Sequence, residues 1–198
     1  MGSTTTNMNI QALLKQAGTA YPKAVNLSSK VRSKVNAAIK KAAFAAIPDY
    51  DPGTSVVEAV SSYKTTVNMK GILSLRFEDY YYPEMAAHGV TGVSSVTLNL
   101  KTGHEYEFYQ LFCKGSNYQA ILNQIIQAQI VAEQIPLLKP FAGVGPDEDY
   151  YLTPDSLVIY YQPYEYTPGA YGVLEFTIPY SQITGIIDPY GAIGKMLS

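Results

Sequence analysis

The chain has 198 residues, 47% of them hydrophobic and 15% charged, which is the composition of a folded globular protein somewhat poor in charge. No apolar run reaches the roughly 18 residues of a membrane-spanning helix, and the single cysteine, Cys113, excludes an internal disulfide and a cysteine-based zinc site. Residues 1–45 carry seven basic and no acidic side chains, and residues 46–198 carry seven basic and sixteen acidic ones. The negative net charge of residues 46–198 favours a cationic partner. The basic residues 1–45 lack a nucleic-acid-binding motif.

The N-terminal quarter predicts a polar lead-in and one long helix. Residues 1–18 are expected to be a linker or a shortened N-terminus that lacks the native targeting segment, because MGSTTTN has no basic and apolar regions of a signal peptide. A short helix is predicted over 9–18. The long helix is predicted over 27–47, where PDYDPG ends it. Its cap is Ser28 or Ser29, and apolar residues recur on one face at Val31, Val35, Ile39 and Ala43.

The middle of the chain predicts antiparallel strands and a second helix. Residues 55–71 and 72–82 form two strands that turn at Lys70-Gly71, and the stretch 93–112 forms a hairpin around Lys101-Thr102-Gly103. The second helix is predicted over 115–135, with Ser116 or Asn117 as its cap. Its apolar stripe consists of Ile121, Leu122, Ile125, Ile126 and Ile130.

The C-terminal part predicts further strands and completes the fold class. Two short strands flank the turn at 153–156, another strand covers 172–180, and a last helical turn is expected in 181–188. Hairpin order without βαβ alternation indicates an α+β fold, with mostly antiparallel sheets of six or seven strands packed against two main helices. Residues 19–198 are expected to form one domain, or two subdomains of about 19–84 and 85–198.

The stretch YYQPYEYTPGAYG, residues 160–172, is the most unusual feature of the sequence, with five tyrosines and two prolines after a strand-like run. The prolines remove two backbone donors, so the chain must leave the sheet there. A proline-stiffened, tyrosine-rich loop loses little entropy on binding and favours an interface, although a bulge whose tyrosines cap the core is the alternative. Tyr164 and Glu165 are expected to serve the fold. The residues expected to be exposed are Tyr166, Pro168 and Tyr171.

Four blocks of sequence resemble one family. They are KGILSLRFEDYYY, MAAHGVTGVSSVTLNLKTG, YEFYQLFCKGSNYQAIL and DYYLTPDSLVIYYQPYEYTPGAYGVLEFTIPYSQI. In this order they are similar to the paired domains of unknown function in the extracytoplasmic part of the lysozyme-sensing anti-sigma-V factor. The same paired domains accompany the catalytic domain of a peptidoglycan deacetylase. The resemblance covers roughly residues 21–187, and its C-terminal motif is the most specific part.

The resemblance implies an outward-facing, non-catalytic sensing or binding domain without a cofactor. Two departures from the family pattern concern the interface: Met85 and Ala86 replace glycines before Ala87-His88, and the aromatic residue in the segment 168–172 is displaced. His88 lies in this loop, where it either holds the loop through a backbone hydrogen bond or contacts a partner. The predicted partner-binding residues are His88, Thr91, Tyr166, Pro168 and Tyr171.

The residues provide little for catalysis or metal binding. A nucleophile–base pair would have to join Cys113 to His88 or His104, and a small buried hydrophobe is the more usual role of such a cysteine. The acidic run Asp147-Glu148-Asp149 lacks the alternating ligand spacing of a calcium loop. We therefore expect no enzyme activity and no metal site.

A third function, hydrolase activity, would need two convergent carboxylates or a nucleophile–base pair in one cleft, and no motif singles out such a pair among the sixteen acidic residues. Two binding functions are favoured over it. The first is an extracytoplasmic domain, secreted or anchored to a bacterial membrane, that binds a cationic, lysozyme-like protein at the cell envelope. The alternative is an accessory module that binds peptidoglycan or another cell-wall glycan, with tyrosine faces stacked on sugar rings. Neither function involves nucleic acid.

Overall fold

A computed structural model of the chain describes residues 21–47 and 55–198. The described strands are β1 (Val56–Met69), β2 (Ile72–Pro83), β3 (Val90–Asn99), β4 (Tyr150–Leu152), β5 (Ser156–Tyr161) and β6 (Leu174–Pro179). The described helices are α1 (Ser29–Ala45), α2 (Tyr118–Ala132), α3 (Tyr180–Ile183) and α4 (Ala192–Leu197), with short 3₁₀ turns at Phe108–Leu111, Gly169–Tyr171 and Thr184–Ile186. The predicted linker, the helix over 9–18 and the PDYDPG stop lie outside these residues.

The strands form two antiparallel sheets of three, in the orders β1-β2-β3 and β4-β5-β6. The predicted α+β class is confirmed, but the six described strands are divided between two sheets and do not form one. The hairpin predicted over 93–112 is wrong in its second half, where only Glu105 bridges back to Leu98. Beyond it, buried side chains recur at helical spacing, at Phe108, Leu111 and Phe112, so the chain turns into a 3₁₀ helix there. The division of the domain near residue 84 stays a prediction.

The two faces of β2 have different partners, because side chains alternate along a strand. Leu73, Leu75 and Phe77 pack against α1, which buries Val35 and Ile39 in return. The opposite face carries Ser74 and Arg76, which reach the second sheet. The central strand of the first sheet is therefore covered on both sides.

A second core lies between the second sheet and α2. Its helix face consists of Leu122, Ile126 and Ile130, the inner part of the predicted stripe, and these residues pack in one cluster with Ile159 and Phe176 of the sheet. Within the part of the chain that the structure describes, every helix is too short or too polar to cross a bilayer.

Hydroxyl groups join the two sheets. Ser74 Oγ lies 3.1 Å from Thr97 Oγ1 and accepts a hydrogen bond of 3.0 Å from the backbone N–H of Leu152. Tyr160 donates to Ser95 Oγ over 3.0 Å. Because these groups are buried or half-buried, their bonds select one placement of the second sheet on the first.

Asp79 is a buried carboxylate on β2, with only 1% of its surface exposed. Neither of its oxygens has a partner at hydrogen-bond geometry among the described residues. Burial raises the pKa of Asp79 above its ordinary value, an effect that the nearby Ser61 hydroxyl offsets only in part. The folded protein therefore holds the Asp79 proton more tightly than the unfolded chain does.

Replacing Asp79 by asparagine is expected to stabilise the protein at neutral pH. Since the folded pKa is the higher one, the wild type loses free energy of unfolding as the pH rises from the unfolded value of about 3.9 through the folded pKa. Asp79→Asn removes this loss and is expected to raise the free energy of unfolding at neutral pH by about 1 kcal/mol. Urea unfolding as a function of pH measures the effect.

Asp155 is a control for which the stability is expected to change with pH in the opposite direction. Hydrogen bonds from the hydroxyls of Thr153 and Ser156 lower the pKa of this exposed carboxylate, so its contribution to stability is present at neutral pH and is lost on acidification. Asp155→Asn should therefore lower stability at neutral pH. An Asp79→Asn protein no more stable than wild type at neutral pH would contradict the prediction.

Candidate partner-binding cleft

A cleft of about 550 Å³ lies where the first sheet meets the tyrosine-rich tail. Strand β2 contributes Arg76 and Glu78 to its wall, the loop before β3 contributes His88 and Gly89, and the start of β3 contributes Val90 and Thr91. The tail contributes Pro163 and Tyr164, together with parts of 169–175. Segments far apart in sequence thus meet in one concave surface, which is the usual form of a binding site.

The tail leaves the second sheet and is held by the edge of the first. The side-chain amide of Gln162 accepts from the N–H of Val93 over 3.1 Å and donates to the carbonyl of Val93 over 2.8 Å. These two bonds satisfy the N–H and the carbonyl of Val93 as the backbone of a paired residue in a neighbouring strand would. The chain then turns at Tyr164, which has a φ of 69°, a left-handed conformation uncommon for residues other than glycine.

The turn directs Tyr164 to His88. The hydroxyl of Tyr164 lies 3.2 Å from His88 Nε2, and 57% of the tyrosine surface remains exposed. His88 Nδ1 lies 3.2 Å from the carbonyl of Gly89, so the loop holds the other side of the imidazole. Tyr82 also donates to the carbonyl of Ala86 over 2.7 Å and fixes the start of this loop. The contact between His88 and Tyr164 joins the two segments that the family resemblance marks as the interface.

The structure places the predicted site residues in three different positions. His88 and Thr91 line the cleft. Pro168 and Tyr171 are exposed at the start and the end of the neighbouring 3₁₀ turn but do not line the cleft. Tyr166 is only 6% exposed, so its predicted exposure is wrong.

Tyr164 and Tyr166 exchange the roles that we expected of them. The left-handed turn at Tyr164 points its ring outward, and Tyr166 then faces the core, where its ring centroid lies 5.6 Å from that of Phe141. Lys139 covers the Tyr166 ring from above, with Nζ 4.8 Å from the centroid. No pattern of residue types in the motif distinguishes the two tyrosines, because the difference depends on one backbone angle.

The sequence pattern did not indicate the charged residues of the cleft, because Arg76 and Glu175 are 99 positions apart. Arg76 Nε donates to Glu175 Oε1 over 3.1 Å and its NH1 group donates to Glu78 Oε2 over 2.7 Å. Tyr151 donates to the other oxygen of Glu175 over 3.2 Å, and burial together with the charge of Glu175 raises the pKa of Tyr151 to about 12. Two carboxylates against one guanidinium leave this wall with net negative charge.

In this cleft Glu78 and Glu175 are both paired with Arg76, and Cys113 and His104 do not line it. Cys113 and His104 share a different cleft, but the Cys113 thiol donates to the carbonyl of Ile187 over 3.3 Å and His104 Nε2 lies 3.1 Å from Gln110 Oε1. Within the described ranges no three His, Cys, Asp or Glu side chains converge as a metal site. The walls are suited to binding through shape, hydrogen bonds and charge.

Comparison with known proteins finds a family match that includes the tail side of the cleft but not Arg76, Glu78 or residues 88–91. Residues 109–181 match the family described as "Protein of unknown function (DUF3298)". Anti-sigma-V factor RsiV of Bacillus subtilis is 31% identical over 140 residues, which are 65% of this chain and 46% of that protein. The chain thus spans about half the length of this curated relative.

Two solved structures share the fold. A DUF3298 family member from Bacteroides fragilis superposes with a TM-score of 0.56 at 17% identity, covering 84% of this chain and 67% of the other. A DUF3298 family protein from Pseudomonas aeruginosa superposes with a TM-score of 0.55 at 18% identity, covering 90% and 76%. The resemblance seen in the sequence is therefore confirmed, and residues 109–181 of the chain match the DUF3298 family.

Proposed function

We propose that the protein is a non-catalytic sensing or binding domain that acts outside the cytoplasm and captures a cationic, lysozyme-like protein in the cleft beside Tyr164. The observation that carries the proposal is the contact between His88 and Tyr164. This contact joins the loop before β3 to the tyrosine-rich tail, and the edge of the cleft that these two residues form is called the rim below. The similarity to an anti-sigma factor supports a role in sensing. The negative wall at Glu78 and Glu175 supports a cationic partner.

The backbone that carries Tyr164 is conformationally restricted in the absence of a partner. Pro163 and Pro168 restrict the backbone on both sides of Tyr164. Gln162 ties the segment to β3. A rigid loop with an exposed tyrosine gives up little conformational entropy on association, which is the usual advantage of tyrosine in binding loops.

Isothermal titration calorimetry with a c-type lysozyme tests the partner directly. We expect binding that weakens between low and physiological salt, because the attraction between exposed opposite charges is screened by ions. Absence of heat at protein concentrations of about tens of micromolar, where a micromolar complex would form, would contradict the lysozyme proposal.

Gly169→Ala is expected to weaken this binding about tenfold with little effect on stability. A Cβ atom on Gly169 would lie 2.1 Å from Cζ of the Tyr164 ring, so the exposed ring must swing away and release His88. The matched control is Gly185→Ala, also at a 3₁₀ turn, where a Cβ atom meets nothing within 4 Å. Equal lysozyme affinity of the two variants would show that the Tyr164 rim is not the binding surface.

A further inference from the structure

A second cleft, of about 730 Å³, lies between the segment 99–118 and the C-terminal segment 188–195. It shares no lining residue with the cleft at Tyr164. Nothing in the proposed function uses it. Its volume is that of a small-ligand site.

Aromatic rings dominate its walls. Tyr190 is 82% exposed and Tyr109 is 49% exposed, although both carry large apolar rings. Phe112 and Tyr118 stack on each other with centroids 4.4 Å apart and ring planes only 6° apart. The Phe112 ring is buried, so it is the rings of Tyr109 and Tyr190 that expose apolar surface to water, at a cost that a ligand with a flat apolar face would remove.

Polar groups stand beside these rings. The hydroxyl of Tyr106 accepts from Lys195 Nζ over 2.7 Å and from Asn99 Nδ2 over 3.1 Å. Both of these bonds leave the hydroxyl hydrogen of Tyr106 unused, and 7% of the Tyr106 surface is exposed. His104 packs edge-on against the Tyr106 ring at 4.8 Å, and Asp188 provides a carboxylate on the opposite segment. Donors and acceptors thus lie next to apolar planes.

We propose that this second cleft binds a carbohydrate chain. A pyranose ring has a flat face of C–H groups and a rim of hydroxyls that both donate and accept hydrogen bonds. The aromatic planes of Tyr109 and Tyr190 match the first property, and Tyr106, His104 and Asp188 match the second. A β-1,4-linked chain exposes such faces on both sides, which suits a cleft with rings on both walls.

The charges and the shape of the cleft favour a glycan over a peptide. Lys114 and Lys195 against Asp188 give the cleft a net charge of only about +1, which is compatible with an uncharged sugar. The most exposed rings lie at the surface as open planes and do not enclose a deep hole for an aliphatic side chain.

NMR titration of the full chain with triacetylchitotriose and with cellotriose tests the proposal. We expect amide shifts confined to the segments 99–118 and 188–195 for at least one of the two sugars. Tyr190→Ala is expected to raise the Kd about tenfold or more, because it removes a stacking surface. Tyr106→Phe retains the ring and removes the free donor, so it should weaken binding severalfold.

Tyr171→Ala is the matched control, since Tyr171 is an exposed tyrosine beside the other cleft and should leave sugar affinity unchanged. Truncation of Tyr190 removes no core contact, so folding is retained. Three results would each overturn the inference: no shifts with either sugar at about millimolar concentration, shifts outside the two segments, or wild-type affinity in Tyr190→Ala. Binding of an unrelated tripeptide at the same residues, without sugar binding, would assign the cleft to peptides. The result of the lysozyme titration does not affect this test.

Discussion

Truncation of Tyr166 to alanine is expected to lower the free energy of unfolding by about 3–5 kcal/mol. The residue lies within the motif that the sequence marks as an interface, yet its ring is part of the core. Its centroid lies 4.9 Å from that of Tyr161 in an edge contact with ring planes 80° apart, and 5.6 Å from that of Phe141 with ring planes tilted by 55°. Removing the ring would leave a cavity bounded by these side chains, and chemical denaturation measures the loss.

Tyr164→Ala is the matched control for Tyr166→Ala, two positions earlier in the same motif. Because Tyr164 is largely exposed, its truncation should change stability by no more than about 0.5 kcal/mol. It should nevertheless reduce lysozyme binding, since it removes the contact with His88. Equal stability losses in the two variants would contradict the assignment of Tyr166 to the core and Tyr164 to the rim.

Gly194→Ala is expected to destabilise the protein by about 1–3 kcal/mol, although alanine favours helices over glycine by about 1 kcal/mol. Gly194 lies in α4, where a Cβ atom would come within 2.3 Å of the Asp188 carbonyl oxygen and 2.5 Å of Pro189 Cα. Both are backbone atoms, so no side-chain rotation relieves the clash. Thermal unfolding should show a lower Tm, whereas Gly185→Ala, in open space, should remain close to wild type.

The same variant affects the second cleft. The clash would displace the turn over 188–191, which carries Tyr190, so we expect Gly194→Ala to lose sugar binding as well as stability. A Gly194→Ala protein at least as stable as wild type would show that α4 does not pack closely on this turn.

The sequence by itself determined the elements that depend on local pattern. Periodic apolar residues located α1 and α2 to within a few positions. Ser28 and Asn117 occupy the N-cap positions, as predicted, but neither side chain makes a capping hydrogen bond. Because successive side chains alternate between the two faces of β2, the sequence places Leu75 on one face of the strand and Ser74 on the other. Periodicity is a property of a single segment, so it can be identified without knowledge of the rest of the chain.

Only the tertiary structure decided how the segments meet. The division into two sheets, the pairing of Arg76 with Glu175 and the cleft between Tyr109 and Tyr190 all join positions dozens of residues apart. The exchange between Tyr164 and Tyr166 depends on one left-handed residue, for which the side-chain type gives no signal. Hydropathy shows that a side chain favours burial but does not show which surface buries it, because that surface belongs to another part of the chain.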